Sequence, residues 1–245
     1  MNFGLIGYGK MGKMVEAAAL GRGHRIVTIS DPAAKQNEKY DPEKADVLIE
    51  FTRPDTAPEN IMAAAAAGKK IISGSTGWYE RLDEVTRAVH SAGASLLYAS
   101  NFSLGVNLFY RVAACAARLF DPFPEYDVGA FEAHHRKKAD SPSGTAKTLA
   151  ALLLSSMTRK KKVCYNGVPE AGGDEAIHFA SLRTGAIPGV HSLLFDSGAD
   201  TVELRHTARS REGFALGAVI AAEWLAAKKE SGVYTMDDVL EELLP

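Results

Sequence analysis

The chain has 245 residues, 46% of them hydrophobic and 24% charged, the balance of a globular protein with a real core. Its formal net charge of −2 supplies no basic field for nucleic acid, and no apolar run approaches the roughly 18 residues that span a bilayer, so neither nucleic acid nor membrane is an expected partner. Two cysteines, Cys115 and Cys164, cannot build a disulfide framework; Cys115 reads as buried filler in an apolar helical pattern, the opening residues read as a strand rather than a secretion signal, and a cytoplasmic setting is expected.

Strands are predicted at 3–6, 25–30, 46–51, 70–73 and 95–99, with helices at 11–20, 58–67 and 79–92 between them. Gly21 and Gly68 mark helix ends, and Pro58 suits a first turn. The polar stretch 35–44 is too short for a full helix with its connections, so one crossover is abbreviated. Repeated βα units imply a parallel sheet covered on both faces.

The pattern then changes. A long apolar helix at 106–120 ends at the breaker Asp121-Pro122-Phe123-Pro124, and a strand at 126–133 follows. A helix at 146–154 opens on Ser143-Gly144-Thr145. Three β-like runs at 177–183, 190–195 and 201–206 are joined without helices, which favours a mostly antiparallel or mixed sheet with the Ser143 helix on one face. A second long helix at 213–229 precedes a capping-box-like start at Thr235 and Asp238. The expected fold is α/β: a Rossmann-type doubly wound domain from residues 1–105 and 213–245, and an α+β substrate and oligomerisation domain with a mixed sheet from 106–212.

Gly7-Tyr8-Gly9-Lys10-Met11-Gly12 follows the first strand and opens the first helix, the context in which G-x-G-x-x-G has physical meaning. Gly7 permits the turn, Gly9 lets a pyrophosphate approach the backbone, and Gly12 allows close packing of helix on strand. Asp31, at the end of the second strand, can accept hydrogen bonds from adenosine ribose hydroxyls and would repel a 2′-phosphate. Pro32, Ala33 and Ala34 supply no arginine, although Lys35 is within reach; the reading favours NADH, with NADPH tolerated. Gly74, Ser75 and Thr76 after the fourth strand, and Ala99, Ser100, Asn101 and Phe102 after the fifth, are placed to line a nicotinamide pocket.

The segment from Glu132 to Ala146 carries most of the chemistry. It sets two imidazoles, His134 and His135, and three cations, Arg136, Lys137 and Lys138, just before a helix start at Ser143. Unpaired N–H groups at a helix N-terminus favour anions, so a small anionic substrate that must be protonated is expected. Histidine can donate a proton near neutral pH, and lysine can neutralise charge or anchor a carboxylate; which of His134 and Lys138 delivers the proton stays open. No Cys/His cluster has metal-ligand spacing, and hydride reduction needs no metal.

These motifs, with Phe51-Thr52-Arg53-Pro54, the Arg183…Gly185…Gly189…His191 run and Ser210-Arg211, resemble the 4-hydroxy-tetrahydrodipicolinate reductase family, formerly called dihydrodipicolinate reductase, over nearly the whole chain. The resemblance implies NAD(P)H-dependent reduction of a small cyclic dicarboxylate in the diaminopimelate route to lysine, by a homotetramer. It implies that His134 and Lys138 fall on the proton-donor positions, and that His135, Gly144 and Thr145, with Ser143 beside them, hold the substrate carboxylates. Asp31 falls on the ribose position, and residues 74–76 and 99–102 on the remaining cofactor contacts. Two departures bear on the cofactor: Lys10 stands where the family usually has arginine, and the arginine after the acidic residue is absent. An aspartate dehydrogenase-type oxidoreductase or a nucleotide-sensing binding protein would share the glycine loop but would not account for the Glu132–Ala146 segment.

Overall fold

Strands β1 (Asn2–Ile6), β2 (Arg25–Ser30), β3 (Val47–Glu50), β4 (Lys70–Ser73) and β5 (Ser95–Tyr98) pair in parallel, in the order β5-β4-β3-β1-β2. A short strand near the C-terminus, β11 (Gly232–Tyr234), extends the sheet beside β5 and was not expected from sequence. Its three residues are too few for a periodicity to register. The structure is a computed structural model and describes residues 1–31, 41–165, 167 and 173–244.

The strands are apolar on both faces because both are covered. Val47 and Ile49 pack with α1 (Lys10–Gly21), α6 (Glu212–Ala227) and α7 (Met236–Leu243), whereas Leu48 packs with α2 (Ala57–Ala66) and α3 (Leu82–Ser91). Helix α6 is apolar nearly all round because it lies across the sheet, and Gly217 is required where it meets the chain: a Cβ there would stand 1.7 Å from the Phe102 carbonyl oxygen. Helix α3 is shorter than predicted because residues Tyr79–Arg81 form a 3₁₀ turn, the tighter geometry often found at a helix start. Between β2 and β3 the described residues include a 3₁₀ turn, Pro42–Lys44; most of the stretch 35–44 expected to form an abbreviated crossover, with Pro32, Ala33, Ala34 and Lys35, lies outside the described residues. Asp238 accepts hydrogen bonds from the backbone N–H (2.7 Å) and the hydroxyl (2.9 Å) of Thr235, which fixes the start of α7.

By its internal contacts the chain divides into Met1–Leu104 with Glu212–Pro245, and Gly105–Arg211. The second unit contains a five-stranded mixed sheet of β6 (Asp127–His134), β7 (Lys162–Cys164), β8 (Ala176–Arg183), β9 (Val190–Asp196) and β10 (Thr201–Thr207), ordered β10-β9-β6-β8-β7. β6 runs parallel to β8 and antiparallel to β9. Strand β7, also three residues long, was not expected. Helices α4 (Leu104–Phe120) and α5 (Gly144–Ser156) contribute to a core with Val128, Ala130, Ile177, Phe179, Leu193 and Phe195. One expectation is corrected: Cys115 is exposed rather than buried. The buried stripe of α4 is Val106, Phe109, Ala113 and Ala117, and a residue two positions from Ala113 points about 200° away from it.

Candidate active site

In the first unit the glycine loop is a tight turn with open backbone at its tip. Gly7 has φ +91°, and a Cβ there would stand 2.2 Å from the Phe51 carbonyl oxygen; a Cβ on Gly12 would stand 2.3 Å from the Gly7 carbonyl oxygen. Gly9 is exposed and a Cβ on it would meet nothing within 4 Å, so the loop presents open backbone at that point. Gly9 caps α1 without a side-chain hydrogen bond, and no acidic residue occupies the first turn, which leaves a helix start suited to an anion. Tyr8 donates a short hydrogen bond to Glu16, while Lys10 is exposed and Met11 half-buried. The Gly7 N–H donates to the Ser30 carbonyl (2.7 Å), which brings Asp31 next to the loop.

The ends of β3, β4 and β5 form a second cluster. Glu50 is fully buried and accepts hydrogen bonds from the Thr52 N–H (2.7 Å), the Ser73 hydroxyl (2.5 Å), the Ser75 hydroxyl (2.8 Å) and the Thr52 hydroxyl. It ties the loop after β3 to the loop after β4. Ala99 N–H donates to the Ser73 carbonyl (3.2 Å), tying in the loop after β5. Thr76 and Ser100 are exposed, Gly74 is packed against the Phe51 ring, and Asn101 Oδ1 accepts from the Ser103 N–H (2.9 Å). Phe102 is 2% exposed and its ring meets Phe51 edge-on, so its side chain belongs to the core and only its backbone is free to serve a ligand.

In the second unit, three adjacent strands change from apolar to polar at the same end and on the same face. The period-two series are Val128, Ala130, Glu132, His134 on β6; Ile177, Phe179, Ser181, Arg183 on β8; and Phe195, Leu193, His191 on β9. Register sets Glu132 opposite Ser181 and His191, and His134 opposite Arg183. Glu132 is fully buried; its Oε1 accepts from the Ser143 N–H (2.9 Å), the Ser181 hydroxyl (2.9 Å) and Arg183 Nη2 (2.8 Å). Its Oε2 stands 2.6 Å from His134 Nδ1 and 3.8 Å from His191 Nε2, ion-pair contacts rather than well-directed hydrogen bonds. Burial would raise the Glu132 pKa, but the hydrogen bonds from Ser143, Arg183 and Ser181 outweigh it and hold the carboxyl down at about 2. Burial lowers the pKa of His134, opposed by the Glu132 charge, and pushes that of His191 down to about 4.

The loop after β6 folds back on β8: His135 N–H donates to the Ile187 carbonyl (2.8 Å) and Thr184 N–H to the His134 carbonyl (2.9 Å). His135 is half-buried with its Nδ1 unpartnered; Arg136 and Lys137 are exposed. Lys138 pairs with Asp140 at 2.7 Å. Ser143 caps α5, accepting from the Ala146 N–H (3.2 Å), and its hydroxyl lies 3.2 Å from His191 Nε2. Gly144 is exposed, with open space where a Cβ would be, while the Thr145 side chain bonds the Tyr110 hydroxyl.

Thus Glu132, His134, Ser143, Arg183 and His191 meet in one network, with Lys138 close enough to influence His134. Sequence reasoning assigned no role to Glu132, Ser181, Arg183, His191 or Glu50. The available signal was a carboxylate or imidazole continuing an apolar strand face. Glu132, His134 and His191 also bring potential metal-ligating atoms within 4.8 Å of one another. The 2.6 Å Glu132–His134 contact leaves no room for an ion between those atoms, and Arg183 and Lys138 already supply positive charge.

A family model described as dihydrodipicolinate reductase, N-terminus, matches residues 1–102, and one described as dihydrodipicolinate reductase, C-terminus, matches residues 105–240. The chain is 39% identical over 243 residues to a 4-hydroxy-tetrahydrodipicolinate reductase of Christiangramia forsetii, covering 99% of each chain. It is 41% identical over 209 residues to one from Methanoculleus marisnigri, covering 85% of this chain and 81% of that one. The fold is similar to that of a dipicolinate-bound dihydrodipicolinate reductase from Paenisporosarcina sp. TG-14, at TM-score 0.75 and 23% identity, covering 100% and 99% of the two chains.

Proposed function

The chain belongs to the dihydrodipicolinate reductase family, and from that premise we propose that it reduces 4-hydroxy-tetrahydrodipicolinate to tetrahydrodipicolinate with NAD(P)H. The balance is substrate plus NAD(P)H plus one proton giving product, NAD(P)⁺ and water. Family models over both parts of the chain support this reading over an aspartate dehydrogenase. The observation that carries it in the molecule is the buried Glu132–His134 contact beside a capped helix start with an open Gly144.

When bound, the reduced nicotinamide supplies the hydride. The first unit is the cofactor domain in this reading: Gly7, Tyr8, Gly9, Lys10, Met11 and Gly12 hold the pyrophosphate, and Asp31 holds the ribose. The loops at 74–76 and 99–102 frame the nicotinamide. Asp31 makes NADH the preferred cofactor, because a carboxylate repels a 2′-phosphate. The second unit is the substrate domain. Reduction leaves an electron pair on the ring, and His134 donates the proton it requires. Lys138, released from Asp140, neutralises charge or anchors a carboxylate. Backbone N–H groups at Gly144 and Thr145, with His135, hold the carboxylates, and Ser143 stands beside them with its own N–H given to Glu132. That unit also forms a homotetramer: the sheet face opposite α4 and α5 carries Leu182, 54% exposed, with Phe131 and Leu194 partly exposed.

The test is oxidation of NADH or NADPH in the presence of freshly made substrate; no turnover with either would overturn the reading. Among variants, His134→Ala and Lys138→Ala should lower kcat by about 10²–10⁴-fold, the usual worth of general acid catalysis. Thr145→Ala should chiefly raise KM for the substrate, and NADH affinity should hold in all three. Near-parental kcat in both His134→Ala and Lys138→Ala would refute the assignment of the proton donor.

A further inference from the structure

A histidine that donates a proton needs one nitrogen held and the other presented. We propose that Glu132 is the positioning residue of the site: its Oε1 is clamped by Ser143, Ser181 and Arg183, so that Oε2 holds His134 by Nδ1 and makes Nε2 the nitrogen that gives its proton to the substrate. The inference rests on the reading of His134 as the proton donor.

The two oxygens of Glu132 have different tasks. Oε1 takes three donors from two elements: the N-cap of α5, and Ser181 and Arg183 on β8. A carboxylate so held cannot turn, and Oε2 is left facing the imidazoles. Arg183 is itself fixed by a second bond from Nη2 to the Asp140 carbonyl (2.7 Å), so the clamp spans β6, β8 and the basic loop. The far side of the ring is kept clear. Nε2 makes no hydrogen bond to a described residue, and a Cβ on Gly189 would stand 3.0 Å from it.

The charge matters as much as the orientation. Burial disfavours the imidazolium, as do Lys138 and Arg183, while Glu132 favours it. His191, facing the same carboxylate from β9, is held neutral by burial and by His134, so it does not supply a competing cation; His206 acts on His191 in the same direction. In the transfer, the Nε2–H bond breaks, a bond from that hydrogen to the reduced ring forms, and the imidazole is left neutral beside the Glu132 carboxylate. Solvent then returns the proton. Burial still leaves the His134 pKa below its ordinary value, and a carboxylate at Nδ1 makes reprotonation easier than burial alone would allow.

The experiment uses the full-length protein with Glu132→Gln, Glu132→Asp, His134→Asn and the double variant Glu132→Gln/His134→Asn. Glu132→Gln keeps the size and an acceptor for the clamp but removes the charge. It should lower kcat by about 10²-fold with little change in cofactor KM. The alkaline limb of the kcat profile, where the protonated donor is lost, should move down by about one pH unit or more. Glu132→Asp restores the charge and should return that limb toward its parental position. In the His134→Asn background Glu132→Gln should cost little further, because the group it positions is gone. An unmoved alkaline limb in Glu132→Gln, or an equal loss of kcat with and without His134, overturns the proposal and leaves Glu132 a structural residue. Near-parental kcat in His134→Asn instead overturns the underlying reading of His134, a distinct result. Melting temperatures of all four variants separate lost folding from lost positioning: the limb shift is read only on protein that remains folded.

Discussion

Replacing Glu50 tests whether the loops after β3 and β4, which frame the cofactor in the proposed reading, are held from beneath. The carboxylate is fully buried and takes donors from Thr52, Ser73 and Ser75. A hydrogen bond to a charged group contributes about 1.5–3 kcal/mol, and contributions within one network do not add. In Glu50→Ala the three hydroxyls can rotate to other acceptors and the Thr52 N–H keeps the Ser75 hydroxyl oxygen (2.9 Å), but the bonds to a charged acceptor are lost and a small void remains. The expected loss is therefore about 3 kcal/mol, a fraction of each charge-assisted bond plus the void. Glu50→Gln retains an acceptor and the volume, so about 1–2 kcal/mol is expected. In a protein of this size 1 kcal/mol shifts the melting temperature by about 2–4 °C, so Glu50→Ala should melt some 6–12 °C lower. Trp78 provides a local reporter, since its indole N–H donates to the Ser75 carbonyl at 2.8 Å. NADH titration followed by indole fluorescence should show weaker binding in Glu50→Ala than in Glu50→Gln. A melting shift below about 2 °C in Glu50→Ala, with unchanged NADH affinity, would refute the reasoning.

Cofactor choice is read from kcat/KM: NADH should be used at least as well as NADPH, Asp31→Ala should weaken NADH more than NADPH, and a tenfold preference for NADPH would sink the assignment. Acid should destabilise the second unit through His191. Its folded pKa of about 4 lies below the unfolded value of 6.5, so the unfolded chain binds the proton first; stability is whole above 6.5 and falls as pH drops toward 4, by up to about 3 kcal/mol. His191→Gln should narrow the melting-temperature gap between pH 7.5 and about pH 5; an unchanged gap would place the acid sensitivity elsewhere. Glu132 does not mask this, because the stability from its lowered pKa is present above 4.5 and lost only toward about 2. Light scattering should give about four times the 26.2 kDa chain mass, and a fully active monomer would exclude the tetramer.

Local physics was legible in the sequence because it is written locally. Apolar runs of four or five residues alternating with helical periods fix the elements of a parallel sheet whose strands bury both faces. Gly7 and Gly12 announced a turn that only glycine permits, and Ser143 announced the start of α5. The three-residue strands β7 and β11 escaped notice because so short a run has no period. Cys115 was misplaced because an apolar pattern read without its phase does not say which side of α4 faces the core.

What tertiary structure alone decided is who meets whom. Glu132 is far in the chain from Arg183 and His191, and the parallel pairing of β6 with β8 and the antiparallel pairing of β6 with β9 bring them to one end of one sheet face. Shifting either register by one residue would send Arg183 or His191 to the opposite face. Chain order specified a basic loop with two histidines. Glu132 and His134, two apart on β6, share a face by strand period alone, whereas the donors that bury and clamp the carboxylate come from β8 and the start of α5 and depend on pairings the sequence order does not state.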